Sequence, residues 1–263
     1  MKEKLYIIKV GGNVIDEESV LDTTLAAFAK LEGKKILIHG GGKLATRLAE
    51  QLGIEQEMIE GRRITDAETL KIVTMVYAGY INKQIVAKLQ ALGCNAFGLS
   101  GADGNAIKSH KRVHATIDYG FVGDVDAVSA SLLNTLLAQG TTPVIAPITH
   151  DSKGHLLNTN ADTIAQETAK AMTAIFEVQL VFTFDKAGVL LDKDDNNTLL
   201  SKIDKETFKQ LKADNKIVAG MIPKLENAFS AIDNGIKSVH LGKAEQLAAL
   251  IKGDAGTTIT NGN

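Results

Sequence analysis

Short apolar runs that end in glycine alternate along this chain with longer segments of helical periodicity. The first run, at residues 5–10, ends in Gly11 and Gly12, and the second, at residues 36–39, ends in three consecutive glycines. The segment after the second run repeats leucine and alanine every three to four residues and then reaches Gly53. Alternation of this kind is typical of βα units around a mainly parallel sheet. It therefore predicts an α/β fold.

The same alternation continues toward the C-terminal end. Asp66 can cap a long helix that runs to about residue 89. Between residues 107 and 128 the pattern divides into three strand-sized pieces, at 107–110, 113–118 and 120–128, which predict antiparallel hairpins able to cover a site. Since no linker-like segment interrupts the pattern, we expect one continuous sheet, with an N-terminal lobe over 1–175 and a C-terminal lobe over 176–263. The other predicted elements are helices at 131–139, 161–172, 204–214, 221–234 and 244–252, and strands at 95–99, 142–148, 178–183, 238–241 and near 258.

The composition excludes several classes of function. Lys and Arg together number 29 and Asp and Glu number 31, so the net charge of −2 provides no basic surface for a nucleic-acid backbone or an anionic membrane. The apolar run before Gly11 is too short for a signal sequence or a membrane span. The single cysteine, Cys94, cannot form an intramolecular disulfide. We therefore expect a soluble, cytoplasmic protein.

Both glycine clusters are predicted to lie where a strand ends and a helix begins. Backbone N–H groups and the positive end of the helix dipole favour an anion at such a position, and the missing side chains let it approach. A tight turn without a ligand is the alternative for each cluster. Gly40, Gly42 and Ala45 also match a dinucleotide-binding fingerprint, with Glu60 at a suitable distance for a ribose contact. The P-loop pattern is absent from the sequence.

Two lysines occupy positions where a cation needs an anionic partner. Lys9 is the only charge in the run LYIIKVGG, and Lys224 follows Pro223 in the first turn of a predicted helix, where it opposes the helix dipole. Lys9 could extend to solvent from the end of its strand. Alternatively, the two lysines could flank a transferring phosphoryl group and neutralise the charge on its oxygens.

A pair of arginines could bind a carboxylate, and the segment NTNAD could cap a helix and place an aspartate near the lysines. Arg62 and Arg63 stand together in EGRRIT, and a guanidinium matches a carboxylate in two-point geometry, although spacing alone does not decide whether either side chain points inward. In NTNAD, Asn160 is predicted to cap a helix, whereas Asp162 could pair with lysine ammonium groups.

The six histidines show no spacing typical of metal ligands, so we predict no metal site in the protein itself.

Nine short segments occur in one order along almost the whole chain. They are KVGGN at 9–13, IHGGGK at 38–43, EGRRIT at 60–65, LSGADG at 99–104, FVGDV at 121–125, NTNAD at 158–162, FDKAGVL at 184–190, AGMIPK at 219–224 and GTTI at 256–259. This series resembles the amino acid kinase family, and within it the N-acetylglutamate kinases. The segments EGRRIT, NTNAD and GMIPK carry most of the likeness, because other members of the family share the first glycine turns but not this set.

The resemblance implies a three-layer αβα sandwich around a mainly parallel sheet, with an acyl amino acid bound in the N-terminal lobe and ATP in the C-terminal lobe. Lys9 and Lys224 match the family lysines that stabilise the transferring phosphoryl group, and Asp162 matches the aspartate that orients them. The matching substrate-binding positions are Gly41, Gly42, Arg63 and Asn158, with Arg63 for a carboxylate. The matching nucleotide-binding positions are Gly11, Gly12, Asp185, Gly188, Gly220 and Met221.

The reaction implied by this resemblance is the ATP-dependent phosphorylation of the side-chain carboxylate of N-acetyl-L-glutamate. A carboxylate is already a nucleophile at neutral pH, so no general base is required, and positioning and charge neutralisation carry the catalysis. Mg²⁺ is expected on the ATP phosphates. Two alternatives stay open: another acyl group on the same substrate, as in N-succinyl-L-glutamate, and a nucleotide or amino-acid sensor without catalysis.

The resemblance also implies a homodimer. Only eight residues precede Lys9 in this chain, so we expect it to lack the long N-terminal helix of the arginine-inhibited, hexameric relatives. For the same reason, we expect a dimer whose activity is not subject to feedback inhibition by arginine.

Overall fold

The computed structural model describes residues 2–59, 61–192, 195–214, 216–217 and 221–262. Its strands are β1 (Lys4–Val10), β2 (Lys34–His39), β3 (Met58–Ile59), β4 (Arg62–Arg63), β5 (Ala96–Leu99), β6 (Ile107–Lys111), β7 (Val122–Val128), β8 (Thr142–Ile145), β9 (Ile148–His150), β10 (Leu156–Thr159), β11 (Glu177–Phe184), β12 (Lys202–Ile203), β13 (Ser238–Lys243) and β14 (Thr257–Ile259). Its α-helices are α1 (Gly12–Asp16), α2 (Glu18–Lys30), α3 (Gly42–Gln51), α4 (Ala67–Val73), α5 (Asn82–Ala91), α6 (Ala130–Ala138), α7 (Ala161–Met172), α8 (Lys205–Ala213), α9 (Ile222–Asp233) and α10 (Leu247–Lys252). A π-helical stretch, Thr74–Ile81, joins α4 to α5, and short 3₁₀ turns lie at Asp103–Asn105, Asn196–Thr198 and Ala244–Gln246. None of the described helices has the length and apolar character needed to cross a membrane.

Within the described residues, eight strands form one sheet in the order β12-β14-β13-β11-β1-β2-β8-β5. Neighbouring strands are parallel, except that β13 and β14 are antiparallel. At the centre, β1 pairs with β11 on one side and with β2 on the other. The sheet therefore continues across residue 175, and the assignment of separate functions to the two sides of that residue stays a prediction.

Alternate residues of β1 face opposite layers of helices. Leu5 and Ile7 belong to an apolar cluster that includes residues of α6, α7 and α9, whereas Ile8 and Val10 belong to a cluster with α2, α3, α4, α5 and α10. All four side chains are fully buried. Strands covered on both faces are typical of parallel sheets and appear in the sequence as continuous apolar runs. The predicted three-layer αβα sandwich with a mainly parallel sheet is confirmed.

The same alternation determines the position of Lys9. Side chains alternate along a strand, so Lys9 leaves β1 on the face of Leu5 and Ile7, which α7 and α9 cover. The first turn of α7 carries Asp162, and the first turn of α9 carries Lys224. The fold thus directs three charged side chains toward one end of β1.

A closed arrangement of β10, β7, β6 and β9 contains the segment predicted as hairpins, and β6 and β7 are antiparallel as expected. The piece at 113–118, expected as a strand, is instead an irregular connection. There the backbone N–H groups of Thr116 and Ile117 donate to ring Nδ1 of His114, and this local turn replaces strand pairing. Strand β10, which the sequence did not predict, places Asn158 beside Val122 of β7.

Three predicted elements are divided in the structure. The helix expected after the first glycines breaks at Glu17, whose extended backbone separates α1 from α2. The strand expected at 142–148 is two strands, of which β9 belongs to the closed arrangement. The long helix begins as predicted at Asp66, whose side chain accepts the N–H of Thr69, but changes to the π-helical stretch before α5. Such wide turns occur frequently at functional sites.

Two buried histidines should make the stability of this fold sensitive to acid. Burial lowers the pKa of His39 and of His240 from 6.5 to about 4. The unfolded chain takes up these protons below about pH 6.5, whereas the folded chain takes them up only near pH 4. The contribution of each histidine to stability is therefore complete above pH 6.5 and is lost as the pH falls toward 4.

We predict that the free energy of unfolding falls by roughly 2 kcal/mol per buried histidine between pH 7 and pH 5. His240→Gln should remove about half of this pH dependence in urea denaturation experiments, because glutamine does not titrate. An H240Q protein with the wild-type pH dependence would contradict this account.

Candidate active site

The two glycine turns lie against each other at the ends of β1 and β2. A Cβ atom on Gly12 would lie 3.8 Å from the backbone nitrogens of Gly41 and Gly42, and one on Gly40 would lie 3.4 Å from the nitrogen of Gly12. Among the residues that the structure describes, no side chain caps the N-terminal N–H groups of α1 or of α3, the helices that begin at these turns. Uncapped donors and the positive ends of two helix dipoles therefore share one small space, which favours an anion.

Close packing behind the turns leaves little or no room for a side chain at two positions. A Cβ atom on Gly11 would lie 3.0 Å from the carbonyl oxygen of Thr183 on β11. Gly41 has a φ of 149°, which favours glycine, and a Cβ atom there would overlap Ile81 at the end of the π-helical stretch. The elements behind the turns therefore fix the backbone of both of them.

A buried histidine supports the second turn. His39 is fully buried, and its Nδ1 lies 2.8 Å from the carbonyl oxygen of Gly40. Its Nε2 lies 3.2 Å from Nδ2 of the buried Asn82, which also donates to the carbonyl oxygen of Val144. Since an amide nitrogen only donates, Nε2 accepts and Nδ1–H donates to Gly40. Burial lowers the pKa of His39 to about 4, so the ring is neutral and keeps this arrangement.

Gly41 and Gly42 line a cavity together with both arginines of EGRRIT, and we call it the arginine cavity. Arg63 is only 7% exposed. Its guanidinium donates to the carbonyl oxygen of Gly42 at 3.0 Å, to Thr46 Oγ1 at 2.9 Å and to Gln56 Oε1. These acceptors are neutral, so they fix the guanidinium without neutralising its charge. A carboxylate in the cavity would complete the pairing.

Two polar side chains extend the wall of the arginine cavity. Asn158 donates from Nδ2 to Thr65 Oγ1 at 3.0 Å, and Thr65 in turn donates to the backbone carbonyl of Arg63. Tyr77, from the π-helical stretch, is buried, and this burial raises the pKa of its phenol although the nearby Arg63 acts in the opposite direction. The phenol is therefore uncharged at neutral pH, and the wall provides neutral polar groups next to a fixed cation.

Lys9, Lys224 and Asp162 line a second cavity, which we call the lysine cavity. Lys9 Nζ lies 2.8 Å from Asp162 Oδ1, and the two side chains are 16% and 49% exposed. Lys224 is exposed, and its Nζ lies 5.4 Å from the ring centre of Phe184. The structure thus brings together all three residues predicted as catalytic. With two cations and one carboxylate, the cavity keeps a net positive charge for an anionic ligand.

The two cavities are neighbours at the beginning of α7. Asn160 and Ala161 line the arginine cavity, and Asp162 lines the lysine cavity. Asn160 Oδ1 accepts the backbone N–H groups of Asp162 at 2.8 Å and of Thr163 at 3.1 Å, which confirms the predicted cap. One helix N-terminus therefore positions a residue of each cavity.

The residues predicted to bind a nucleotide are more widely distributed. Asp185 is exposed just after β11, and Met221 precedes α9. Gly188 is buried with a φ of 156°, and a Cβ atom on it would overlap its neighbours. Gly220 lies outside the described residues, as does Glu60, the ribose candidate of the dinucleotide alternative. Contact of these residues with a nucleotide stays a prediction.

Two amide side chains of the lysine cavity were not identified from the sequence. Gln166 and Asn227 line it beside the charged groups. Gln166 follows Asp162 by four residues on α7, and Asn227 follows Lys224 by three residues on α9. Residues at these spacings share one face of a helix. A search for polar residues three or four positions after a predicted site residue on the same helix could therefore have identified both of them.

Residues 4–243 match the model of the amino acid kinase family. The chain belongs to the amino acid kinase family. It is 58% identical over 259 residues to an acetylglutamate kinase of Phocaeicola vulgatus, covering 98% of this chain and 99% of that protein. It is also 58% identical over 245 residues to an acetylglutamate kinase of Parabacteroides distasonis, covering 93% and 96%. Membership of the family favours the kinase hypothesis over the dinucleotide-binding alternative.

The fold is also similar to that of a solved structure with a different named activity. N-acetylglutamate synthase from Neisseria gonorrhoeae, in complex with coenzyme A and N-acetyl-glutamate, has a TM-score of 0.82 at 20% identity. The match covers 99% of this chain and 60% of that chain. At this level of identity, the likeness shows the fold alone.

The support of Gly40 by His39 generates a prediction about phosphoryl transfer. His39→Leu removes the hydrogen bond to Gly40 and should lower kcat roughly 10- to 100-fold, because small displacements of reacting groups have effects of this size. Steady-state kinetics with a thermal-unfolding check would measure it. His240→Leu, at a buried histidine of β13, is the matched control and should keep kcat. A folded H39L protein with wild-type kcat would show that the turn does not need this support.

Proposed function

We propose that this chain phosphorylates the side-chain carboxylate of N-acetyl-L-glutamate with ATP, giving N-acetyl-L-glutamyl 5-phosphate and ADP, as the second step of arginine biosynthesis. The names of relatives 58% identical over nearly the full chain support this substrate. The observation that carries the proposal is the junction of the two cavities. A fixed arginine for a carboxylate lies on one side, and a lysine pair with an aspartate lies on the other.

The acceptor would bind in the arginine cavity. Its α-carboxylate would pair with the Arg63 guanidinium, whose orientation is already fixed by neutral acceptors. The Oδ1 atom of Asn158 makes no hydrogen bond within the described part of the chain and is suited to accept the amide N–H of the substrate. The side-chain carboxylate would then extend toward Gly41 and Gly42, beside the glycine turn of β1.

The chemistry needs positioning and charge neutralisation rather than a base. A side-chain carboxylate oxygen attacks the γ-phosphorus of ATP, the bond from that phosphorus to the β–γ bridging oxygen breaks, and ADP leaves. Lys9 would neutralise charge on the transferring phosphoryl group, and Lys224 would do so on the leaving side. Asp162 would hold Lys9 in place through the ion pair of 2.8 Å. Uncapped N–H groups of the two glycine turns would bind phosphate oxygens.

A sensor without catalysis is the alternative class of function. Binding alone requires a cation for the phosphates of the nucleotide but no charge at the junction between the nucleotide and the amino acid. Lys9 lies at the end of β1, where the two glycine turns meet, and is paired with Asp162. This placement of a lysine–aspartate pair at the junction favours catalysis.

ATP would bind at the lysine cavity, with Mg²⁺ on its phosphates. The described residues contain no group of three His, Cys, Asp or Glu side chains arranged for a metal ion. Asp162, the carboxylate of the lysine cavity, is paired with Lys9. We therefore propose that phosphate oxygens and water hold Mg²⁺, as is common for this ion, and that it supplies further neutralisation of phosphate charge.

We also propose that the protein is a cytoplasmic homodimer. Strand β5 is at the edge of the main sheet and carries Phe97, which is 49% exposed. Met75 and Tyr80 in the π-helical stretch are 56% and 60% exposed. An open sheet edge and exposed apolar side chains favour pairing with a second copy. Light scattering should give twice the chain mass of 28.0 kDa, and a mass equal to one chain would contradict the dimer.

Trapping of the acyl phosphate with hydroxylamine tests the proposed reaction. The purified protein would be incubated with Mg-ATP and, in parallel, with N-acetyl-L-glutamate, free L-glutamate or L-aspartate. Hydroxamate should form with the N-acylated substrate alone, because only it presents the amide to Asn158 and the carboxylate to Arg63 together. Absence of hydroxamate from every substrate, with ATP bound in equilibrium dialysis, would instead support a sensor.

A further inference from the structure

The wall of the arginine cavity carries more positive charge than N-acetyl-L-glutamate can use. Both Arg62 and Arg63 line it, and no aspartate or glutamate does so within the described part of the chain. N-acetyl-L-glutamate has two carboxylates, of which one is phosphorylated beside Lys9 and the other suits Arg63. Under the proposed function, Arg62 therefore has no anionic partner on that substrate.

The two arginines differ in how the protein holds them. Arg63 is buried, with its guanidinium bound by Gly42, Thr46 and Gln56. Arg62 is partly exposed, and its side chain makes no hydrogen bond, ion pair or ring contact with any residue that the structure describes, although its backbone pairs with Ile59 in β3. A guanidinium at a cavity wall without an acceptor is costly to desolvate when a ligand closes the cavity, unless the ligand brings an anion.

The remaining wall of the cavity is suited to the acyl group. The α-carbon of the substrate carries a carboxylate, a side chain and the acylated nitrogen. If Arg63 binds the carboxylate and the glycine turns receive the side chain, the acyl group is directed to the part of the wall formed by Met58, Gly61, Arg62 and Val122. Met58 and Val122 suit a short methylene chain, whereas Arg62 suits a carboxylate.

We propose that Arg62 forms a second anion subsite, which selects N-acyl-L-glutamates whose acyl group ends in a carboxylate. N-succinyl-L-glutamate represents this class, with two methylenes between the amide carbonyl and the terminal carboxylate. The proposal rests on the proposed function, since it assigns the acyl end of the same substrate. Phosphorylation itself is unchanged, and only the choice of acyl group is affected.

Three substrates separate the effect of charge from the effect of length. N-acetyl-L-glutamate is short and neutral at the acyl end, N-butyryl-L-glutamate is longer and neutral, and N-succinyl-L-glutamate has the same chain length with a terminal carboxylate. Coupled measurement of ADP release would give kcat and KM for each. We expect kcat/KM for the succinyl substrate to exceed that for the butyryl substrate roughly 10- to 100-fold, the usual effect of a charge-assisted hydrogen bond.

Variants assign this preference to one residue. Arg62→Leu should remove the preference for succinyl over butyryl and leave kcat/KM for the butyryl substrate nearly unchanged, whereas Arg62→Lys should retain part of it. Arg63→Leu should raise KM for all three substrates together, since all carry the α-carboxylate. Arg47→Leu, which removes an exposed arginine paired with Asp16 on α1, is the matched control for loss of one charge and should keep the preference.

The outcomes distinguish this inference from the function on which it rests. Equal kcat/KM for succinyl and butyryl substrates in the wild-type protein, or an unchanged preference in R62L, would overturn the subsite. The proposed kinase reaction would still be supported if N-acetyl-L-glutamate were phosphorylated. Failure to phosphorylate all three substrates would overturn the proposed function together with the subsite. Isothermal titration without ATP provides a second readout, and succinyl binding should weaken in R62L while acetyl binding does not.

Discussion

The ion pair between Lys9 and Asp162 links the architecture of this protein to its proposed chemistry. Lys9 follows three fully buried apolar residues, Leu5, Ile7 and Ile8, on the central strand, and its side chain is 16% exposed. An ammonium group in that position requires an anion nearby. The carboxylate comes from the first turn of α7, which Asn160 caps. Because the pair joins the central strand to a covering helix, movement of either element would displace the cation from the junction of the cavities.

Around this pair, the fold separates two kinds of recognition. The arginine cavity is lined by neutral donors and acceptors around guanidinium groups, which suits carboxylates held at defined angles. The lysine cavity contains ammonium groups, which act as point charges and suit phosphate oxygens whose positions change during transfer. The second glycine turn lines the arginine cavity, and a Cβ atom on Gly11 of the first turn would lie 4.0 Å from Lys9 Nζ in the lysine cavity. A carboxylate and a phosphate can thus meet without a side chain between them.

Local patterns in the sequence were sufficient to predict most of the fold and the charged centre of the site. Apolar runs and caps identified most strands of the main sheet and the helix that begins after Asn160, whereas the three layers were implied by the family resemblance. Lys9, Asp162 and Lys224 do meet in one cavity. The support of the second turn by His39 and Asn82 was not predictable, because 42 intervening residues carry no local signal of their contact. The same holds for the π-helical stretch, which depends on tertiary packing rather than on residue spacing.

The turnover of Lys9→Ala shows whether Lys9 stabilises the transferring phosphoryl group. Hydroxamate formation with Mg-ATP and N-acetyl-L-glutamate would be measured for this variant and for Lys4→Ala, which removes an exposed lysine at the other end of the same strand. We predict a loss of about two orders of magnitude or more in kcat for K9A, the effect expected for one preorganised charge in the transition state, and wild-type turnover for K4A. A folded K9A protein with unchanged kcat would contradict the account.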